Sequence, residues 1–185
     1  MLSDYLKQNS KEQHASLEEK YKSNHIFDKT YRLQDYKKFI YANYALHHSF
    51  EVPLEQALSE EFKSSIQYKE RKKLVTIENE ISALGLPLRG SSELYRLESE
   101  AQAIGILYVM EGSTLGGNII KKQLSKNEEF ANMEFNFLGI YGAEVGNYWK
   151  NFISQINDKF QEESYPNVLT GTMIAYTFLQ NFKGY

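Results

Sequence analysis

Tyr108-Val-Met-Glu-Gly-Ser-Thr-Leu-Gly-Gly-Asn118 decides the reading of this chain. It lies within Glu98 to about Leu124. There, and just ahead at Leu97, apolar residues recur at helical spacing: Leu97, Ala101, Ile104, Tyr108, Leu115 and Ile119. Gly105, Gly112 and Gly116 are seven and four residues apart. At about 100° per residue they fall within about 40° of one another on one helix face. Gly117 sits beside that line. Each glycine inside a helix costs about 1 kcal/mol relative to alanine. Four glycines between positions 105 and 117 are therefore a large local penalty. Close approach explains such a strip in one of two ways. Either a flat or bulky ligand lies against backbone that has no Cβ, or another helix crosses there.

Around this stretch the composition narrows the options. The chain has 185 residues, enough for one domain (1–185) with one sizeable core. Net charge is −3, and no Lys/Arg block or basic stripe occurs, so nucleic acid is not an expected partner. Cysteine is absent, which removes disulfides, thiolate nucleophiles and zinc–sulfur sites together and fits a reducing compartment. The N-terminus, Met1-Leu-Ser-Asp-Tyr-Leu-Lys, has no apolar run. No stretch reads as the roughly 18 apolar residues that a membrane span needs. The expectation is a cytoplasmic protein, monomeric and without a membrane partner. Aromatic residues make up 14% of the chain and are spread along it, which suits core and rim packing.

Nearly every segment shows a period of about 3.6 and none a sustained period of two, so the fold is read as an all-α, multi-helix bundle. Helices are predicted from about Ser3 to Tyr21, Leu33 to Glu51, Leu54 to Phe62, Tyr68 to Leu84, Glu98 to Leu124, Ala143 to Phe160 and Asn167 to Phe182. Pro53 is expected to end the second or open the third. Gly85 supplies a left-handed C-terminal turn after the fourth, and Pro87 prevents continuation. The stretch from Ser125 to Gly142 is mixed and reads as loop with a short helical turn.

Four histidines are candidates for chemistry. His14 sits in Lys11-Glu-Gln-His-Ala-Ser-Leu-Glu18, with Glu18 one turn on. A carboxylate there can orient the imidazole through its second nitrogen. On one continuous helix Lys7 shares that face, about 10 Å away along the axis. A neutral imidazole near a cation suits a metal-bearing, anionic, flat ligand; an ordinary surface i,i+4 pair is the plain alternative. His47 and Glu51 repeat the spacing and open a second possibility, non-haem iron inside the bundle. The Glu-x-x-His spacing and the carboxylates usual for a di-iron bundle are missing from these helices. His25, beside Asn24 in a loop, reads as solvent-exposed. Gly112-Ser-Thr-Leu-Gly-Gly is no phosphate loop, because Lys121 and Lys122 come too late and no strand precedes it. Ser113 has no base at suitable spacing and no strand-turn-helix setting, which argues against a serine hydrolase.

The first helix and the glycine-bearing stretch together resemble the haem oxygenase family, above all its bacterial biliverdin-forming members. His14-Ala-Ser-Leu-Glu18 is similar to the family's proximal His-x-x-x-Glu helix. Tyr108 to Asn118 is very close to the bacterial distal helix. Phe137-Leu-Gly-Ile-Tyr-Gly142 ahead of Trp149, and Ala175-Tyr-Thr-Phe178, add to the likeness, which extends from about residue 5 to 182. The resemblance implies haem clamped between the two helices. His14 would be the axial iron ligand through a neutral ring nitrogen, with Glu18 behind it. Tyr108, Gly112, Gly116 and Gly117 would lie on the distal side, with the glycine backbone close to the porphyrin. Lys7 matches a basic residue that pairs with a haem propionate. The implied chemistry is oxidative ring opening of haem by O₂, giving biliverdin, CO and Fe²⁺. The electrons would come from an external donor such as ferredoxin or a flavin reductase, and ordered water would supply protons. Mammalian members carry an aspartate where this chain has Ser113; bacterial relatives carry serine. A hydroxyl holds water without ionising at neutral pH.

A haem carrier or sensor on the same fold, without turnover, is the second function. The non-haem iron bundle is the third. A related fold that acts on thiamin-type substrates relies on a cysteine nucleophile, which this chain lacks.

Overall fold

The computed structural model describes residues 1–89 and 95–184. Among these the regular structure is helical throughout, as the period predicts, and no strand occurs. The helices are α1 (Leu2–Asn9), α2 (Lys11–Lys20), α3 (Leu33–Ala57), α4 (Glu60–Ser65), α5 (Leu74–Ala83), α6 (Glu100–Leu115), α7 (Gly117–Leu124), α8 (Val145–Lys159) and α9 (Tyr165–Asn181).

Three boundaries differ from the sequence reading, each for a local reason. The first helix is interrupted at Ser10, whose backbone (φ −114°, ψ 11°) leaves the helical range. Ser10 Oγ donates to the Leu6 carbonyl at 2.8 Å, the kind of local bond by which serine competes with helix propagation. Lys7 and His14 therefore sit on different helices, and the single-face geometry expected for them does not hold. Pro53 neither ends nor begins a helix; α3 runs through it. Burial of Phe50, Pro53 and Leu54 in the core outweighs the bond that proline cannot donate. The predicted helix from Tyr68 divides into a 3₁₀ turn (Tyr68–Arg71) and α5. The Glu51 carboxylate accepts from the amides of Lys73 and Leu74, at 2.8 and 2.9 Å, and so starts α5 afresh. Gly85 takes up the expected left-handed turn, with φ +67°.

The bundle is organised around α6, which lies against α9 along much of its length and also against α3 and α8. Ile104, Leu107 and Met110 join Leu46, Phe50, Phe152 and Val168 in the larger core cluster. A second cluster, around Tyr36, Ile40, Ile77 and Phe137, lies towards α5 and the segment before α8. Within Glu100–Leu124 an 18-residue window reaches a mean hydropathy of 1.2, so by length and composition it could cross a membrane, contrary to the sequence reading; 56% of that window is buried in the fold, as in a core helix. The helix also breaks at Gly116, which closes α6 and opens α7.

Candidate functional site

The four glycines of the strip do not share one explanation. Building a Cβ on Gly105 would drive it into the Val168 carbonyl oxygen and to 2.7 Å from the Thr172 amide nitrogen. Gly171 is the reciprocal case: a Cβ there would come within 2.8 Å of Gln102 Cα. Thr172 Oγ1 donates across the same contact to the Gly105 carbonyl at 3.2 Å. Gly105 is therefore a helix-crossing glycine, the second of the two explanations open for the strip. Gly117 also packs on protein, because a Cβ would overlap the Leu138 carbonyl. Gly112 and Gly116 are different. A Cβ on Gly112 would meet only Trp149 Cη2, at 3.9 Å, and one on Gly116 only its own neighbour Ile120, also at 3.9 Å. Both are ordinary contacts, so no described protein atom requires glycine at either position.

Side chains border this open part of the strip. The Tyr108 ring lies 5.6 Å from Trp149, and burial pushes its hydroxyl pKa up to about 12. Ser113 Oγ donates to the Met110 carbonyl at 2.8 Å, so its proton is committed to the helix while its lone pairs stay available. Leu115 and Ile119, 41% and 59% exposed, are apolar side chains left uncovered next to Gly116.

The proximal candidates lie on α2, a helix none of whose residues is buried. The His14 side chain is 62% exposed, and its Nδ1 is 3.6 Å from Glu18 Oε2, which leaves Nε2 as the nitrogen not paired with Glu18. Lys7 is exposed in the last turn of α1. Among the described residues, no hydrogen bond or ion pair joins His14 or Lys7 to the glycine segment. What relates the two walls is α9, on which both α2 and α6 rest. Lys20 caps the end of α9, donating to the carbonyls of Gln180 and Phe182 at 2.6 Å each. Tyr21 donates to Leu179 at 2.9 Å. The Tyr176 hydroxyl meets Ser10, at the junction of α1 and α2. Two surface clefts occur elsewhere, one of about 650 Å³ beside Tyr68 and Tyr148 and one of about 520 Å³ beside Tyr95 and Phe178. Neither is lined by a candidate residue, so the site rests on the glycines and on α2.

Sequence reasoning missed the charged centre behind α6. Glu111, next to Gly112, is 3% exposed and pairs with two fully buried cations, Arg71 and Lys73. Burial opposes its ionisation, but Lys73 and Arg71 outweigh that and hold its carboxyl below the usual range. Tyr141 brings its hydroxyl to 3.0 and 2.9 Å from the two Glu111 oxygens. Arg71 also donates to the Ile66 carbonyl at 2.6 Å and the Tyr148 carbonyl at 2.9 Å. A lone carboxylate inside an apolar helix was the available signal. Its partners lie in Tyr68-Lys-Glu-Arg-Lys-Lys73, which reads as a solvated charge run.

His47, fully buried on α3, donates from Nδ1 to Glu51 Oε1 at 2.7 Å. Burial lowers its pKa despite the Glu51 bond, so the ring is neutral at pH 7 and Nε2 carries a lone pair. Among the described residues that atom has no hydrogen-bond partner, and neither has Asn43 Oδ1 one turn earlier, whose amide group donates to the Phe39 carbonyl. Glu51 is occupied by His47 and by the start of α5. No group of three His, Cys, Asp or Glu that could hold a metal ion occurs among the described residues, which leaves the non-haem iron reading without a ligand set. His25 is exposed, with Nδ1 2.6 Å from Thr30 Oγ1.

Comparison with known proteins follows this geometry closely in extent. The haem oxygenase from Neisseria meningitidis, solved in NO- and CO-bound forms, superposes with a TM-score of 0.75 at 22% identity. The match covers 97% of this chain and 88% of that one, and at this identity it speaks to the fold. No match is found among the curated proteins. The family model described as "Heme oxygenase" matches residues 1–182. With nearly the whole chain covered by that model, the protein belongs to the haem oxygenase family.

Proposed function

We propose that this chain binds haem between His14 and the bare backbone at Gly112 and Gly116, and opens it with O₂ and external electrons to biliverdin, CO and Fe²⁺. The observation that carries the reading is the pair of glycines that no described neighbour explains. Gly112, inside α6, costs about 1 kcal/mol of helix stability relative to alanine, Gly116 sits at the junction of α6 and α7, and a Cβ at either would make only an ordinary 3.9 Å contact among the described residues. A flat ligand pressed on the backbone supplies the missing reason. The uncovered α2, with the exposed His14 side chain, supports the same reading from the other side.

The bound haem would supply the redox chemistry and the activation of O₂. This chain's residues do the rest. His14 ligates through Nε2, and Glu18 holds the ring by Nδ1. Lys7 offers an ammonium to a ligand carboxylate. Gly112 and Gly116 bring backbone within contact distance and so limit the poses the ligand can take. Tyr108 and Trp149 close the apolar side. The Ser113 hydroxyl already donates its hydrogen bond to the Met110 carbonyl, so it acts as an acceptor that orients water rather than as an acid. His47 Nε2 and Asn43 Oδ1 are two further buried acceptors, where proton-bearing donors can be held.

Reconstitution with hemin, followed by ascorbate or reduced ferredoxin, tests the proposal. An oxygenase loses its Soret band and yields a green product. A carrier or sensor keeps the band unchanged under the same reductant, and that outcome would replace the enzymatic reading.

A further inference from the structure

The backbone at Gly112–Gly116 is intrinsically soft. Gly112 lies inside α6, Gly116 forms the break between α6 and α7, and neither carries a Cβ. A surface meant to hold a ligand at fixed distance needs outside support. Residues 137–142, Phe137-Leu-Gly-Ile-Tyr-Gly142, touch the glycine stretch at three points. Before it, the Tyr141 hydroxyl binds both oxygens of Glu111, at 3.0 and 2.9 Å. After it, the Leu138 carbonyl group fills the space a Cβ on Gly117 would take, with Leu138 C 3.0 Å from that position. Next along, Asn118 Nδ2 donates to the Gly142 carbonyl. The contacts bracket Gly112 and Gly116 and leave both faces open.

The segment is itself firmly anchored. The Phe137 amide donates to the buried Glu80 carboxylate at 2.8 Å, and its ring lies 6.0 Å from His47 and 6.2 Å from Phe39. The Tyr141 ring stacks on Tyr148 at 4.4 Å and lies 5.0 Å from the Lys73 ammonium. Glu111 is in turn fixed by Arg71 and Lys73. Movement of the glycine turn would have to break bonds to a buried carboxylate, which are among the stronger hydrogen bonds in a protein.

We infer that residues 137–142 form a strap that sets how closely the bare backbone of Gly112–Gly116 approaches its ligand, with Tyr141 the positioning residue that acts through Glu111. The inference deepens the haem reading and rests on it for the identity of the ligand. Tyr141→Phe removes only the hydroxyl and keeps the stacked ring. Asn118→Ala releases the other end.

Amide hydrogen exchange of the full-length, haem-free protein reads the strap without any ligand. Either variant should speed exchange of residues 112–118 about tenfold, the effect of losing one hydrogen bond to a charged or buried partner, while α3 and α9 keep their protection. On the hemin-loaded protein, Tyr141→Phe should change the ratio of ring-opened isomers, which loss of global stability alone would not do. Unchanged exchange, or faster exchange spread evenly over the chain, overturns the strap. Faster local exchange with an unaltered isomer ratio overturns its positioning role. A wild-type protein that takes up no hemin sinks the haem reading instead, and the exchange arm then still decides whether the segment holds the turn.

Discussion

The front half of α6 and its glycine-bearing end carry the same residue for opposite purposes. At Gly105 the helix is pressed onto α9, with Gly171 returning the contact and the Thr172 hydroxyl bridging it. At Gly112 and Gly116 the same stripe faces no described backbone at all. A missing Cβ at Gly105 lets two helices pack; a missing Cβ at Gly112 or Gly116 is not required by any described neighbour. The two meanings alternate along one helix face within three turns, and only the three-dimensional neighbours separate them.

Alanine at the two kinds of position sharpens the contrast most. Gly105→Ala would force the new Cβ into the Val168 carbonyl, backbone on both sides, and should cost about 3 kcal/mol or more. Urea unfolding followed by circular dichroism reads it. Next in size, His14→Ala should abolish turnover and remove histidine ligation from the hemin spectrum; unchanged turnover and spectrum would dismiss the proximal assignment. Glu18→Ala should weaken hemin binding or turnover about tenfold if the carboxylate, 3.6 Å from His14 Nδ1, orients the proposed ligand ring.

Acid should reveal the buried side of α6 and spare the open side. His47 is held below its ordinary value of 6.5 chiefly by burial, against the pull of Glu51. Below that value the unfolded chain takes up a proton that the folded chain refuses. Stability present above it is therefore lost as pH falls, by up to about 1.4 kcal/mol per pH unit. His47→Gln should flatten that slope in the range of about pH 7 to 5. Glu51 and Glu111, both lowered, add their own loss only below the ordinary 4.5. The smallest effect expected is Gly112→Ala in the haem-free protein. It should raise stability by up to about 1 kcal/mol, since the site is helical and has room. Destabilisation there would erase the difference between the two halves.

Helical period and glycine spacing made the fold class and the strip legible, because both are local. What each glycine faces was not, because Gly171 and Leu138 lie far away in sequence and no pattern ties them to Gly105 and Gly117. The break at Ser10 was hidden for a different reason: nothing but one serine hydroxyl turning back to Leu6 marks it. Pro53 carried a local stop signal that burial of its neighbours overrode. The Glu111 centre escaped because its cations come from a stretch 38 and 40 residues earlier that looks like exposed surface.

The account depends on Gly112 and Gly116 being kept bare for a ligand. Hemin titration of Gly116→Leu against the wild-type chain, with helicity checked on the same samples, tests this most directly. The wild-type protein should develop a Soret band that saturates at one hemin per chain, and the variant should keep its helices yet bind hemin far more weakly. Equal hemin binding by two equally helical proteins would contradict the account.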